Sequence, residues 1–455
     1  MASGALATAF CIAIRASPFL CGRMTLYDHY LAAQGQVSTD SRQPQPGTLF
    51  FALNGPSFRG AAFAPGALDK GASHAVVDDA ALAAQDPARY TYAPDPLAAL
   101  QALAQEHRRR FRGPVLAVTG SNGKTTTKEL LTAVLSEKYN VLATIGNLNN
   151  HIGVPLTLLR LRPGQHELAV VEMGANHQGE IADYCQWAEP THGLITNIGK
   201  AHLEGFGGEE GIAKGKGELF AYLAAHQGTA FVNTLDAKLP GLAAPVAWRI
   251  SYPSPADNYP AALLSADPAL RLRLWDGTEV AAQLTGEYNF PNMAAAAAVG
   301  AHFGVPAAQV AAALGSYNPQ NNRSQLVRTA HGNDLVLDAY NANPSSMAAA
   351  LRSFAARPVR AGQQRWVILG DMFELGDSAA AEHRTLGHLL AELGLGNALL
   401  IGPLLHEAAS AYPAAHHFAT KAEAADWLTQ QPIANQLVLL KGSRGMGLET
   451  LLPLL

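Results

Sequence analysis

The segment Thr119-Gly-Ser-Asn-Gly-Lys-Thr-Thr126 constrains the fold of this chain more than any other. It follows the apolar run Val115 to Val118 and precedes a stretch in which Leu130, Leu131, Val134 and Leu135 share one helical face. A strand, a glycine-rich turn and a helix in that order aim backbone N–H groups at one point, where phosphate oxygens can be wrapped. Gly120, Ser121, Asn122, Gly123 and Thr126 would line the turn, Lys124 would reach the β/γ-phosphates, and the Thr125 hydroxyl would ligate magnesium. The strict phosphate-loop pattern has a glycine where Val118 stands, so this is a shortened variant. The competing reading is a glycine turn that merely caps a helix.

The flanking chain implies an α/β fold of three domains. Residues 24–110 alternate short apolar runs with Gly/Pro turns and form a small α/β N-terminal domain. Residues 111–318 alternate buried strands with helices, which implies a central, mainly parallel sheet covered on both faces. In residues 319–455, Leu335 to Leu337, Trp366 to Leu369, Ala398 to Ile401 and Leu437 to Leu440 are each followed by Asp, Gly or Lys-Gly, the pattern of a Rossmann-like unit with polar residues at its strand ends. Residues 1–23 stand apart. Ala5 to Ile14 is apolar, but no basic residue precedes it and Arg15 ends it, so the segment is expected to be a non-native start upstream of Met24 or a disordered tail.

Charge and cysteine usage remove other classes. Thirty-two Lys plus Arg against 36 Asp plus Glu leave a net charge of -4, unsuited to coating nucleic acid or anionic lipid. The basic run Arg108 to Arg112, lying at the boundary between two domains, is read as a solvated linker. Cys11, Cys21 and Cys185 form no C-x-x-C pair, which excludes a disulfide scaffold or zinc ribbon and suggests a reducing, cytoplasmic setting. No apolar run approaches the ~18 residues of a membrane span.

A phosphate loop alone permits kinases, motors, GTPase switches and ligases. Two further residues stand at strand ends. Glu172 follows Leu168 to Val171, where a carboxylate can hold magnesium or simply be solvated. His202 sits in Asn197-Ile-Gly-Lys-Ala-His-Leu-Glu-Gly205, as a ligand or an ordinary loop histidine.

Several segments together resemble the Mur ligases, ATP-dependent amide-bond-forming enzymes of peptidoglycan synthesis. They are Ser38-Thr-Asp-Ser-Arg42 with Pro46-Gly-Thr-Leu-Phe50, Gly146-Asn-Leu-Asn-Asn150 with Gly153-Val-Pro155, and Glu172-Met-Gly-Ala-Asn-His177. Ala201-His-Leu-Glu-Gly-Phe-Gly207, Asp338-Ala-Tyr-Asn-Ala-Asn-Pro344, Gly370-Asp-Met-Phe-Glu-Leu-Gly376 and Lys441-Gly-Ser-Arg444 complete the set. The resemblance is nearest to the members that add D-alanyl-D-alanine to UDP-N-acetylmuramoyl-tripeptide. Another Mur-type ligase or a folylpolyglutamate-type ligase is the near alternative, and a phosphate-loop switch or binding module the distant one.

The resemblance implies ATP as co-substrate and Mg2+ held by Thr125, Glu172 and His202. It also implies that Lys216, or less readily Lys214, is carbamylated by carbon dioxide and joins the metal site; without the resemblance, Lys216 reads as an exposed helical lysine. Asn289 and Asn292 would contact adenine, Arg323 the phosphates, and Asp338 with Tyr340 the nucleoside. Lys124, His202, Lys216 and Arg323 would carry catalysis. Ser41, Arg42, Asn147, Asn149, Asn150, Lys441, Ser443 and Arg444 would bind the acceptor or the dipeptide. Two departures from the family pattern are Tyr288 in Gly286-Glu-Tyr-Asn289, where a histidine is frequent, and Asn321-Asn-Arg323 in place of Pro-Gly-Arg. Phe58-Arg-Gly-Ala61 replaces an Asp-Gly-His segment on the uridine side. A cytoplasmic monomer without nucleic-acid contact or membrane insertion is expected.

Overall fold

The protein is described by a computed structural model covering residues 24–42, 46–319 and 322–455. The expectations for residues 1–23 lie outside the described residues, as does Asn321. The chain divides into two compact units, one ending at Pro96 and one beginning at Leu97.

The first unit opens with a helix, Leu26–Ala32, started by a capping box in which Thr25 and Asp28 each accept from the other's backbone N–H. Four strands follow, β1 (Val37–Ser38), β2 (Leu49–Phe51), β3 (His74–Val77) and β4 (Tyr90–Tyr92), paired in parallel in sequence order. Phe50, Ala75 and Val77 pack against Ala64, Ala67 and Leu68 of the connecting helix Ala64–Asp69 to form the core. Small alanines let that helix lie close on the sheet.

In the second unit, the strands β5 (Val115–Thr119), β6 (Val141–Ala143), β7 (Leu168–Glu172), β8 (His192–Ile195), β9 (Thr229–Asn233) and β10 (Trp248–Tyr252) form a parallel sheet of order β10-β9-β8-β5-β7-β6. Every residue of β5 and β7 is buried, as a sheet covered on both faces requires. The helices Lys124–Ser136 and Phe290–His302 cover one face through Leu130, Leu131, Val134 and the alanines 294–298. A small antiparallel sheet, β11 (Ala262–Ser265), β12 (Arg271–Arg273) and β13 (Glu279–Ala281), adds Leu272 and Val280 to the same core.

A second six-stranded sheet follows, formed by β14 (Gln325–Arg328), β15 (Asp334–Asp338), β16 (Arg365–Gly370), β17 (Asn397–Ile401), β18 (His416–Phe418) and β19 (Leu437–Lys441). Its order is β14-β15-β19-β16-β17-β18, parallel except for β14. Alternate residues feed opposite cores: Val336, Val367, Leu369 and Leu439 on one face, Leu335, Ile368, Val438 and Leu440 on the other. The carboxyl ends of β15 and β19 thereby present Asp338 and Lys441 side by side, in register.

Arg108 departs from the solvated-linker reading of the basic run. It is buried, with Nε donating to Ala188 O at 2.7 Å, Nη1 to Phe111 O at 2.9 Å and Nη2 to Glu189 O at 2.8 Å. The helix Glu180–Ala188 ends there, and its last carbonyls have no partner within the helix. Arg109 and Arg110 remain exposed and pair with Glu189 and Glu106.

Candidate active site

The phosphate-loop segment turns between β5 and the helix Lys124–Ser136 at two glycines that no other residue could replace without strain. Gly120 has φ +143° and Gly123 φ +77°; a Cβ on the first would lie 1.9 Å from Thr196 Oγ1, and on the second 2.6 Å from Asn292 Oδ1. The turn is braced by the end of β8. Thr196 Oγ1 donates to Asn122 O at 2.6 Å, Asn122 N–H donates to Asn197 Oδ1 at 3.1 Å, and Ser121 Oγ donates to Gly199 O at 2.8 Å. Lys124 folds back on the turn, donating to Gly120 O at 2.8 Å and Ser121 O at 3.3 Å. Burial pulls its pKa below the ordinary lysine value, Glu172 opposes that shift and Arg323 adds to it.

Glu172, at the end of β7, is fully buried, not solvated. Its Oε1 accepts from Thr125 Oγ1 at 3.1 Å and Asn149 Nδ2 at 2.8 Å, while Oε2 is buried with no partner. An orphaned carboxylate oxygen inside a protein is costly unless a cation or donor completes it. Thr144 steadies the backbone here, accepting from Glu172 N–H at 3.0 Å, and Lys128 Nζ holds the Thr144 carbonyl at 3.0 Å.

Lys216 lies in the helix Glu209–Ala225 and is completely buried, against the exposed helical lysine that sequence alone suggests. Its Nζ has no hydrogen-bond partner and sits 4.9 Å from the centroid of the Phe206 ring. Burial drives its pKa well below the ordinary value, Lys124 pushes the same way, and Glu180 and Glu218 oppose. The neutral amine is the form this pocket favours.

The second sheet supplies the opposite wall. Asp338 Oδ1 accepts from Ser324 N–H at 3.1 Å and Oδ2 from Lys441 Nζ at 2.6 Å, and Lys441 also donates to Asn341 O at 3.1 Å. The Arg323 guanidinium stacks 3.7 Å from the Tyr340 ring centroid. Asn343 Nδ2 donates to Asn122 Oδ1 at 2.7 Å, so the wall touches the glycine turn directly. Asn292 Nδ2 donates to Asn289 Oδ1 at 2.9 Å, and Asn289 Nδ2 to Thr285 O at 2.8 Å. Tyr288, standing in the frequent histidine position, bonds Ser324 Oγ through its hydroxyl at 2.9 Å.

These groups surround one cavity of about 730 Å³. It is lined by residues 121–126 of the turn, by Asn147, Asn149 and Asn150, by Glu172, His202, Asn289 and Asn292, and by Arg323, Asp338, Tyr340 and Lys441. Gly120, Lys216, Ser443 and Arg444 are not on its surface. Ser443 Oγ accepts from Phe373 N–H at 3.0 Å, and Arg444 Nη1 reaches Glu449 at 3.2 Å with its guanidinium 5.5 Å from the Tyr340 centroid. Ser41 and Arg42 belong to the first unit, where the Arg42 side chain hydrogen-bonds Asp40 and pulls that carboxyl down to about 2. Lys70 Nζ donates to both their carbonyls at 3.1 Å.

Asn197, Thr144, Asn343, Ser345 and Glu374 also frame or brace the cavity, though sequence reasoning assigned them no role. All but Thr144 fall inside or beside the quoted motifs, so motif membership was the available signal. Thr144 sits just outside one, with nothing local to single it out.

Among the described residues no cluster of three His, Cys, Asp or Glu side chains is arranged to hold a metal. Magnesium nevertheless fits the donors present: it keeps waters and nucleotide oxygens and takes few protein ligands, and the Glu172 carboxylate, with Oε2 orphaned and Oε1 bonded by the Thr125 hydroxyl, offers hard oxygens of that kind.

A phosphate-loop sheet facing a Rossmann-like sheet across a polar cavity defines a nucleotide-dependent enzyme of two cooperating α/β layers. Three family models match: Mur ligase family, catalytic domain at residues 35–108; Mur ligase middle domain at 118–300; and Mur ligase, glutamate ligase domain at 322–444. The chain is 35% identical over 423 residues to the UDP-N-acetylmuramoyl-tripeptide--D-alanyl-D-alanine ligase of Escherichia coli K12, covering 91% of this chain and 92% of that protein. It superposes on MurF from Acinetobacter baumannii with a TM-score of 0.82 at 33% identity, covering 93% and 96% of the two chains. MurF ligase from Thermotoga maritima in complex with ADP gives a TM-score of 0.81 at 25% identity, with 92% and 96% covered. The chain belongs to the Mur ligase family.

Proposed function

We propose that this chain is an ATP-dependent ligase that joins D-alanyl-D-alanine to UDP-N-acetylmuramoyl-tripeptide in peptidoglycan precursor synthesis. The observation that carries the reading is the cavity itself, where Lys124, the glycine turn and Glu172 converge beneath Arg323, in a chain that matches ligases of this activity over nearly its whole length.

A carboxylate is a poor electrophile and its oxygen a poor leaving group. Transfer of the ATP γ-phosphoryl group to the tripeptide carboxylate gives an acyl phosphate and ADP. The amine of the dipeptide attacks it, and the tetrahedral adduct collapses with loss of phosphate. The protein's task is positioning and charge neutralisation. The turn's amides, Lys124 and Arg323 face the transferring group, and bound magnesium, held by Thr125, Glu172 and His202, supplies further positive charge. Asn289 and Asn292 take the adenine side, Asp338 and Tyr340 the nucleoside. Asn147, Asn149, Asn150, Lys441, Ser443 and Arg444 orient the acceptor and the dipeptide, and Ser41 and Arg42 serve the uridine diphosphate end. Ser443 and Arg444 would act from outside the cavity wall.

Lys216 would be carbamylated. Its neutral amine adds to carbon dioxide, forming a nitrogen–carbon bond and releasing one proton, and a buried, unpartnered amine of depressed pKa supports this choice. The product would be an anion near the cation-binding groups. The working division is an N-terminal domain of residues 24–110, a central domain of 111–318 and a C-terminal domain of 319–455. The enzyme would act as a cytoplasmic monomer, where ATP and UDP-linked precursors are available; among the described residues no helix is long and apolar enough to cross a membrane.

ADP release coupled to a reporter tests the proposal. Release should require both UDP-muramoyl tripeptide and D-alanyl-D-alanine. Turnover with single amino acids or with folate plus glutamate would assign a different ligase, and acceptor-independent hydrolysis would point to a switch.

A further inference from the structure

The loop after β16 is built to deliver one carboxylate. Asp371 is buried and accepts from Leu404 and Leu405 N–H at 3.3 and 2.9 Å. Met372 N–H donates to Nε2 of the buried His383 at 3.1 Å, and Phe373 N–H to Ser443 Oγ at 3.0 Å. With three successive residues tied down, Glu374 follows in the left-handed region at φ +63°. Such a backbone is costly for a residue other than glycine and persists only where its surroundings over-determine it.

The Glu374 carboxylate reaches across to the loop after β8. Its Oε2 lies 2.5 Å from His202 Nδ1, and His202 is itself left-handed at φ +54°. That nitrogen has no other partner and forms no hydrogen bond; at this distance only the angle separates the contact from a charge-assisted one. Two strained residues from two different sheets therefore meet through their side chains, and both line the cavity.

We infer that Glu374 is a positioning residue for His202: its carboxylate keeps the ring proton on Nδ1, so that Nε2 is the nitrogen left with a lone pair. A neutral imidazole has one donor and one acceptor nitrogen, and the partner of one decides the role of the other. A carboxylate behind a ligating histidine fixes both tautomer and ring orientation. The inference rests on the proposed role of His202 at the metal site. It adds that this role is completed by the second sheet, so the histidine is correctly set only when the two sheets face each other. Lys200 supplies the contrast, since its Nζ bridges the same sheets to Glu382 at 2.8 Å and leaves the imidazole alone.

Long-range imidazole ¹⁵N NMR of the full chain at pH 8, without metal or nucleotide, tests this, with His202 signals identified by their loss in His202→Gln. The wild type and Glu382→Gln should show the Nδ1–H tautomer, and Glu374→Ala a mixed or Nε2–H ring. Glu374 is more than half exposed, so its truncation leaves no buried void. Mn2+ titration should show roughly 10- to 100-fold weaker binding in Glu374→Ala. An Nε2–H ring in the wild type, or an unchanged ring in Glu374→Ala, overturns the assignment. The metal role of His202 fails separately, if His202→Gln binds Mn2+ as tightly as the wild type.

Discussion

At the scale of single residues, Lys124 and Lys216 are two lysines held by one environment in opposite ways. Lys124 has carbonyl partners on the glycine turn, and Glu172 favours its charged form; Lys216 has no partner. Lys124→Ala should fold normally and lose about 2–4 kcal/mol of transition-state stabilisation, roughly 30- to 1000-fold in kcat/KM. A variant with near wild-type turnover in the ADP-release assay would remove the turn from the mechanism. Lys216→Ala should be nearly inactive and partly restored by short-chain carboxylates, which would place an anion where the carbamate belongs. Full activity without any carboxylate would leave Lys216 a packing residue only.

At the scale of elements, the glycine turn and the end of the helix Glu180–Ala188 are each completed by a distant segment. Gly120→Ala would force a Cβ into the Thr196 hydroxyl that holds Asn122 O, in a backbone region side chains rarely adopt. Loss of about 1–3 kcal/mol of stability is expected, with weakened ADP affinity, as measured by denaturant unfolding and calorimetric titration. Arg108→Ala would strip the partners from Ala188 O, Glu189 O and Phe111 O at once. Destabilisation of about 3 kcal/mol follows from leaving buried carbonyls unsatisfied, and an unchanged unfolding midpoint would return Arg108 to the solvated run it resembles. Neither effect is written in the local sequence. A run of arginines looks the same whether or not a helix terminus lies above it.

At the scale of the whole molecule, stability should fall on the acid side through one buried and one half-buried histidine. Burial pushes His74 in the first unit and His192 in the second down to about 4. Because the unfolded chain takes up protons near the ordinary value of about 6.5 while the folded one resists them, stability is complete above about 6.5 and is lost as pH falls towards 4. Thermal unfolding midpoints measured between pH 7 and 4.5 should decline. In His192→Phe, which keeps a ring among Phe231, His302 and Phe303, the decline should be shallower. An identical slope would place the acid sensitivity elsewhere.

Features that depend on neighbours along the chain were legible in the residues alone: the strand, glycine turn and helix of the phosphate loop, the parallel β/α alternation, and the strand-end positions of Glu172, Asp338 and Lys441. Period and turn chemistry are local, so one strand's residues suffice to reveal them. The antiparallel sheet β11–β13 escaped notice because each of its strands buries only part of its length against a core assembled elsewhere. Tertiary structure alone decided the burial of Lys216, the orphaned oxygen of Glu172 and the meeting of Glu374 with His202. Burial and partnership are properties of the space around a side chain, and that space is closed by segments distant along the chain, as Thr125 and Asn149 are from Glu172 and Glu374 is from His202.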